Sequence, residues 1–84
     1  MAEVVVVEQI LDPPLTDEEH SRIGKLIDRC AGMRNATWMR SYLSADRRRM
    51  FCEFEAPDAQ SVRESYRSAG VPFQSVWSAE LYKR

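Results

Sequence analysis

Two short runs constrain this chain most: Thr37-Trp38-Met39-Arg40-Ser41-Tyr42-Leu43 and Met50-Phe51-Cys52-Glu53-Phe54-Glu55. Each reads as a β-strand, and Ser44-Ala45-Asp46-Arg47 between them reads as a turn. Side chains alternate along a strand, so Trp38, Arg40 and Tyr42 are expected on one side and Met39, Ser41 and Leu43 on the other. In the second run Met50, Cys52 and Phe54 share a face, opposite Phe51, Glu53 and Glu55. A sheet with a single buried face has no need of a Trp-Arg-Tyr row behind it. The second face is therefore expected to meet something other than water: another subunit, a ligand, or both.

The rest of the chain supplies a frame for this hairpin. Val4 to Ile10 is β-branched and apolar, and its uninterrupted valines suit a central strand buried on both faces. Asp12-Pro13-Pro14 ends it, because proline fixes the backbone and lacks the N–H a strand would use. Thr16 and Glu19 form the pattern of a capping box, and Asp17, Glu18 and Glu19 suit the positive end of a helix dipole. Ile23, Leu26, Ile27 and Cys30 recur at helical spacing as a buried stripe, with Gly32 as the expected C-terminal cap. Ala56-Pro57-Asp58 breaks the third strand, and Asp58 is a natural N-cap for a second helix whose inner face is Val62, Tyr66 and Ala69. Gly70 and Pro72 end that helix, and Gln74 to Tyr82 reads as the last strand. Strand, helix, strand, strand, helix, strand is an α+β, ferredoxin-like βαββαβ sandwich: an antiparallel four-stranded sheet with both helices on one face.

Such a sandwich leaves one sheet face bare. At 84 residues the chain is one domain, and a chain of this size buries only roughly 60–65% of its unfolded surface. Disulfides, a metal or oligomerisation usually make up the deficit. Two cysteines are too few for a disulfide scaffold, and their spacing matches no zinc pattern. Oligomerisation remains, and sheet-to-sheet pairing into a dimeric α+β barrel is expected.

Composition excludes several functions. Lysine and arginine number 12 against 13 acidic residues, whereas a phosphate-backbone partner calls for a basic stripe. Arg47-Arg48-Arg49 is the exception, and its place in a turn reads as a solvated surface diluted by nearby acids. No stretch approaches the roughly 20 apolar residues of a membrane span, and the start lacks the basic flank of a signal peptide. A cytoplasmic protein with reduced cysteines is expected, with neither nucleic acid nor membrane as partner.

Catalytic equipment is sparse. There is one histidine, His20, at the edge of the first helix's buried stripe, and Cys30 and Cys52 read as inert thiols that pack as small hydrophobes. No Ser-His-Asp grouping, glycine-rich phosphate loop or H-E-x-x-H pattern occurs. On the outer face, Trp38, Arg40, Tyr42 and Phe51, with Trp77 from the last strand, form an aromatic wall with a cation. Such a wall suits a pocket for an apolar organic molecule, and equally a polar dimer interface. The leading expectation is a homodimeric ligand-binding or interaction domain with these five residues at the ligand. The alternative is a cofactor-independent isomerase, cyclase or oxygenase in which Glu53 or Glu55 abstracts a proton, with His20 as reserve base. Neither reading requires a cofactor or a metal.

One resemblance joins these residues. Leu15-Thr16, Cys30, Trp38-x-x-Ser41-Tyr42, Cys52, Ala56-Pro57-Asp58, Val62-Arg63-Glu64 and Gly70-x-Pro72 resemble a bacterial family of small domains of unknown function, some of whose members are labelled nickel-binding proteins. The resemblance implies a ferredoxin-like fold, commonly dimeric. The nickel label implies a histidine in the second helix just after Val62-Arg63-Glu64. Ser65 stands there, followed by Tyr66, so nickel binding does not carry over: an organic ligand or a protein partner is expected, and a nickel or other metal-binding protein comes last among the readings.

Overall fold

The chain forms six elements in the expected order, described over residues 2–84 in a computed structural model. They are β1 (Glu3–Ile10), α1 (Asp17–Gly32), β2 (Thr37–Leu43), β3 (Arg49–Ala56), α2 (Ala59–Ala69) and β4 (Ser75–Ala79). The strands make one four-stranded sheet in the order β2-β3-β1-β4, and every neighbouring pair is antiparallel. This is the ferredoxin-like sandwich, with the valine-rich β1 inside the sheet. Val5, Val7, Met50, Cys52, Phe54, Ala56 and Val76 are buried on the helix face. They meet Ile27 and Ala31 of α1 and the fully buried Val62, Ser65 and Tyr66 of α2. Tyr66 lies edge-on between Phe54 and Phe73, with ring centroids at 5.9 and 6.0 Å.

Both helices begin where side chains cap them. Thr16 Oγ1 accepts the Glu19 N–H at 3.1 Å and Asp58 Oδ1 accepts the Ser61 N–H at 2.7 Å. The Glu19 carboxylate turns to Arg22 instead of back to the cap. The end of α1 also differs from expectation: Gly32 is the last helical residue, Met33 is the cap, and Asn35 takes the left-handed turn at φ 58°. Gly70 ends α2 as expected, at φ 69°, where a side chain would be strained. The last strand stops at Ala79 rather than Tyr82.

Arg47-Arg48-Arg49 is a set of structural anchors. Arg47 pairs with Asp17 at 2.7 Å and donates to the Leu15 carbonyl; Arg48 reaches Asp12 and Arg49 reaches Glu8, both at 3.3 Å. The hairpin turn is thus tied to the β1–α1 connection, and its positive charge is matched by three acids.

The register departs from simple alternation at one residue of β2. Trp38 pairs with Phe54 but Arg40 with Glu53, so Met39 is the extra residue of a β-bulge. A one-residue insertion reverses side-chain parity. Arg40 and Tyr42 stay on the open face opposite Glu53 and Phe51, as expected, while Trp38 turns to the helix face with Ser41 and Leu43, opposite Phe54, Cys52 and Met50.

Candidate functional site

Because of that reversal the hairpin carries chemistry on both sides of the sheet. On the helix face, α1 does not close completely onto β2 and β3. A cavity of about 310 Å³ lies between them, with Tyr66 of α2 and Gln9 of β1 also on its wall. From α1 it takes the stripe His20, Ile23, Gly24 and Ile27; from the sheet it takes Trp38, Ser41, Met50, Cys52 and Phe54. The wall is mostly apolar. A Cβ built on Gly24 would meet nothing within 4 Å, so this glycine widens the space under α1.

A chain of polar groups crosses the wall. Trp38 Nε1–H donates to Ser41 Oγ at 2.8 Å, and Ser41 Oγ lies 3.0 Å from Cys52 Sγ as its donor. Cys52 in turn shares a hydrogen bond with the Tyr66 hydroxyl. Burial pushes the Cys52 thiol up, and the hydrogen bonds from Ser41 and Tyr66 oppose this without reversing it. Burial and then the neighbouring Cys52 push the Tyr66 phenol far up as well. Both groups are therefore protonated and neutral at neutral pH. Cys52 is an inert thiol there, since the thiolate is the reactive form. At the β1 end, Gln9 is 3% exposed. Its Nε2 donates to the Pro72 carbonyl at 3.1 Å and its Oε1 has no partner.

The open face holds the other sequence-predicted residues. Arg40 Nε stands 3.4 Å from Glu53 Oε2. Pairing places Arg40, Glu53, Val6 and Trp77 in one row across the four strands, and Tyr42, Phe51, Glu8 and Ser75 in the next. Ile10, Tyr42, Phe51 and Trp77 are exposed on this face, and the Arg49 guanidinium sits 5.9 Å from the Phe51 ring centre. The structure thus brings Arg40, Tyr42, Phe51, Trp77, Glu53 and Glu55 together on one side and places Trp38 and His20 at the cavity on the other. The three expected proton-abstracting groups do not converge: His20 is separated from Glu53 and Glu55 by the sheet itself.

A family model described as nickel responsive protein SCO4226-like matches residues 5–78. The chain belongs to the SCO4226-like family. Among solved structures it is similar to the crystal structure of SCO4226 from Streptomyces coelicolor A3(2). That likeness has a TM-score of 0.85 and 12% identity, over 95% of this chain and 99% of the other. At that identity it bears on fold. No curated protein matches the chain. The resemblance to small domains with nickel-labelled members agrees with the SCO4226-like assignment.

Nickel figures in the description of the SCO4226-like family, and the donors of this chain do not fit the ion. Its single histidine is His20. Ser65 is fully buried, and its hydroxyl is taken by the Ser61 carbonyl at 2.8 Å. Among the described residues no three of His, Cys, Asp and Glu are grouped to hold a metal ion.

Two residues of the cavity escaped the sequence reading, and each left a signal. Gln9 shares the strand parity of Val5 and Val7, so it is a polar side chain on a buried register. Gly24 lies mid-helix, where glycine costs about 1 kcal/mol relative to alanine. Trp38 and Ser41 sit three apart, a spacing that shares a strand face only across a bulge.

Proposed function

We propose that this SCO4226-like chain is a homodimeric ligand-binding domain whose sheet divides the work. The open face takes the open face of a second copy, and the cavity under α1 holds a small organic molecule. The observation that carries the reading is the cavity itself: a largely apolar space of about 310 Å³ in a domain too small to leave apolar surface idle. That volume lies at the low end of small-molecule sites. The ligand position thereby moves from the open face, where the sequence placed it, to the side to which the bulge turns Trp38.

Self-pairing is supported by the composition of the open face. Ile10, Tyr42, Phe51 and Trp77 present exposed apolar surface. Arg40 with Glu53 and Arg49 with Glu8 keep the charges paired within each copy. Glu55 on the same face has no ion pair among the described residues, and it stands in the end row with Val4 and Thr37, so the apolar patch can meet its own copy without burying an unmatched charge. Sedimentation equilibrium tests it: a dimer is expected in the micromolar range, and Phe51→Lys, which sets a charge amid the apolar patch, should give a folded monomer. A wild-type protein that stays monomeric at 100-fold higher concentration contradicts the pairing. The enzymatic alternative lacks a supporting arrangement, since Glu53 is paired to Arg40 and neither Glu53 nor Glu55 reaches the cavity.

A further inference from the structure

We infer that the cavity under α1 selects a neutral, two-ring organic molecule bearing one hydrogen-bond donor, with the donor directed to Gln9 Oε1. This rests on the ligand-binding reading above and gives it a chemical class. Size comes first. An apolar cavity of about 150 Å³ accepts benzene, so a space of about 310 Å³ has room for a second ring. Ile23, Ile27, Met50, Phe54 and the Trp38 indole supply apolar contact for it.

Neutrality follows from the wall. The charged residues that touch the cavity are Lys25 and Asp28, of opposite sign and both exposed at its rim. His20 is half-buried beside them. The exposed Trp38 indole stands at the mouth; inside it the polar groups are Ser41, Cys52, Tyr66 and the Gln9 amide, none of which carries charge. A ligand charge taken into such a wall would lose hydration and find no partner.

The donor follows from Gln9. A carbonyl can only accept, so the bond to Pro72 fixes Nε2 on that side and leaves Oε1 as the free end. A buried amide oxygen without a partner is unfavourable. Gln9 is on the cavity wall, and the terminal torsion of a glutamine is soft, so a small rotation presents Oε1 to a hydroxyl or N–H seated there. The Trp38-Ser41-Cys52 bonds are already made within the protein, which leaves Gln9 as the acceptor in need of a donor.

Proton–nitrogen correlation spectra of the intact protein test this, because the two indole N–H signals report opposite faces: Trp38 at the cavity and Trp77 on the open face. The probes are 2-naphthol, 2-methoxynaphthalene, 2-naphthoate and 2-naphthylmethylammonium. Expected is a shift of the Trp38 signal with Trp77 unmoved, with 2-naphthol binding at least ten-fold tighter than the other three. Gln9→Met should bring 2-naphthol and 2-methoxynaphthalene within two-fold of each other. Gly24→Leu, which fills the space from α1, should abolish binding with the fold's spectrum retained. Equal affinity of wild type for 2-naphthol and 2-methoxynaphthalene, tightest binding of a charged probe, or a naphthol preference that survives Gln9→Met overturns the ligand class and leaves the cavity as a binding site. Failure of every probe to move the Trp38 signal overturns the ligand-binding reading itself. The wild-type comparison decides even where Gln9→Met does not fold.

Discussion

Cys52 and Gly24 show how single side chains set the properties of the cavity. The Cys52 thiol is buried and pushed up, while Cys30 on α1 is half-buried. With a doubly anionic aromatic disulfide reagent at pH 8, which an uncharged cavity disfavours, Cys30 should react first and Cys52 far more slowly, because its thiol lines the cavity and is held protonated. Comparable rates for both would place Cys52 outside the closed wall. The pH dependence has a definite sign. The folded Cys52 value lies above the unfolded one, so its contribution to stability is whole below the ordinary thiol range of about 8.5. It is lost as pH rises through the folded value, because the unfolded state releases the proton first. Cys52→Ala should flatten that alkaline limb in urea denaturation curves. At Gly24 a methyl group meets open space. Gly24→Ala should stabilise the fold by about 0.5–1 kcal/mol through loss of unfolded-state freedom, read as a higher urea midpoint. A lower midpoint would mean that the space under α1 is smaller than described.

The decisive element is β2, and it also marks how far alternation reads a strand. Parity placed Arg40, Tyr42, Phe51, Glu53, Glu55 and Trp77 on the open face, and Ser41, Met50, Cys52 and Phe54 on the helix face, as the pairing shows. It failed at Trp38 and Met39, because nothing in the composition of Trp-Met-Arg signals a bulge: there is no glycine, and the backbone change costs no rule that sequence obeys. Helix starts were legible because caps have side-chain signatures, as at Thr16 and Asp58. The end of α1 was less so, since Asn35 rather than Gly32 takes the left-handed turn. Deletion of Met39 isolates the bulge. Without it Trp38 directly precedes Arg40, the β2–β3 ladder becomes regular, and Trp38 keeps its place opposite Phe54 on the helix face. In a Trp77→Phe background, where Trp38 is the single tryptophan, the deletion should leave its emission in place and retain 2-naphthol binding. A shifted emission with lost binding would show that Trp38 reaches the cavity only through the bulged register.

At the scale of the whole molecule, the sheet is a partition between two unfinished surfaces. The fold was readable because strand and helix order in a short chain admits few topologies, and the open face followed from it. The cavity was not readable, because it depends on how far α1 stands from β2, and α1 carries the same apolar stripe whether it closes on the sheet or not. The SCO4226-like family and the shared sandwich are compatible with differing ligands, since function resides in sites rather than in folds. Here the donors do not suit nickel, and the apolar wall suits an organic molecule. A crystal structure of the protein grown with 2-naphthol reads both faces of the sheet at once. Ligand density is expected between α1 and the Trp38-Ser41-Cys52 wall, with its hydroxyl within hydrogen-bond distance of Gln9 Oε1 and a second copy seated on the Tyr42, Phe51 and Trp77 face. Ligand bound on that open face instead, with α1 closed onto the sheet, would overturn both assignments.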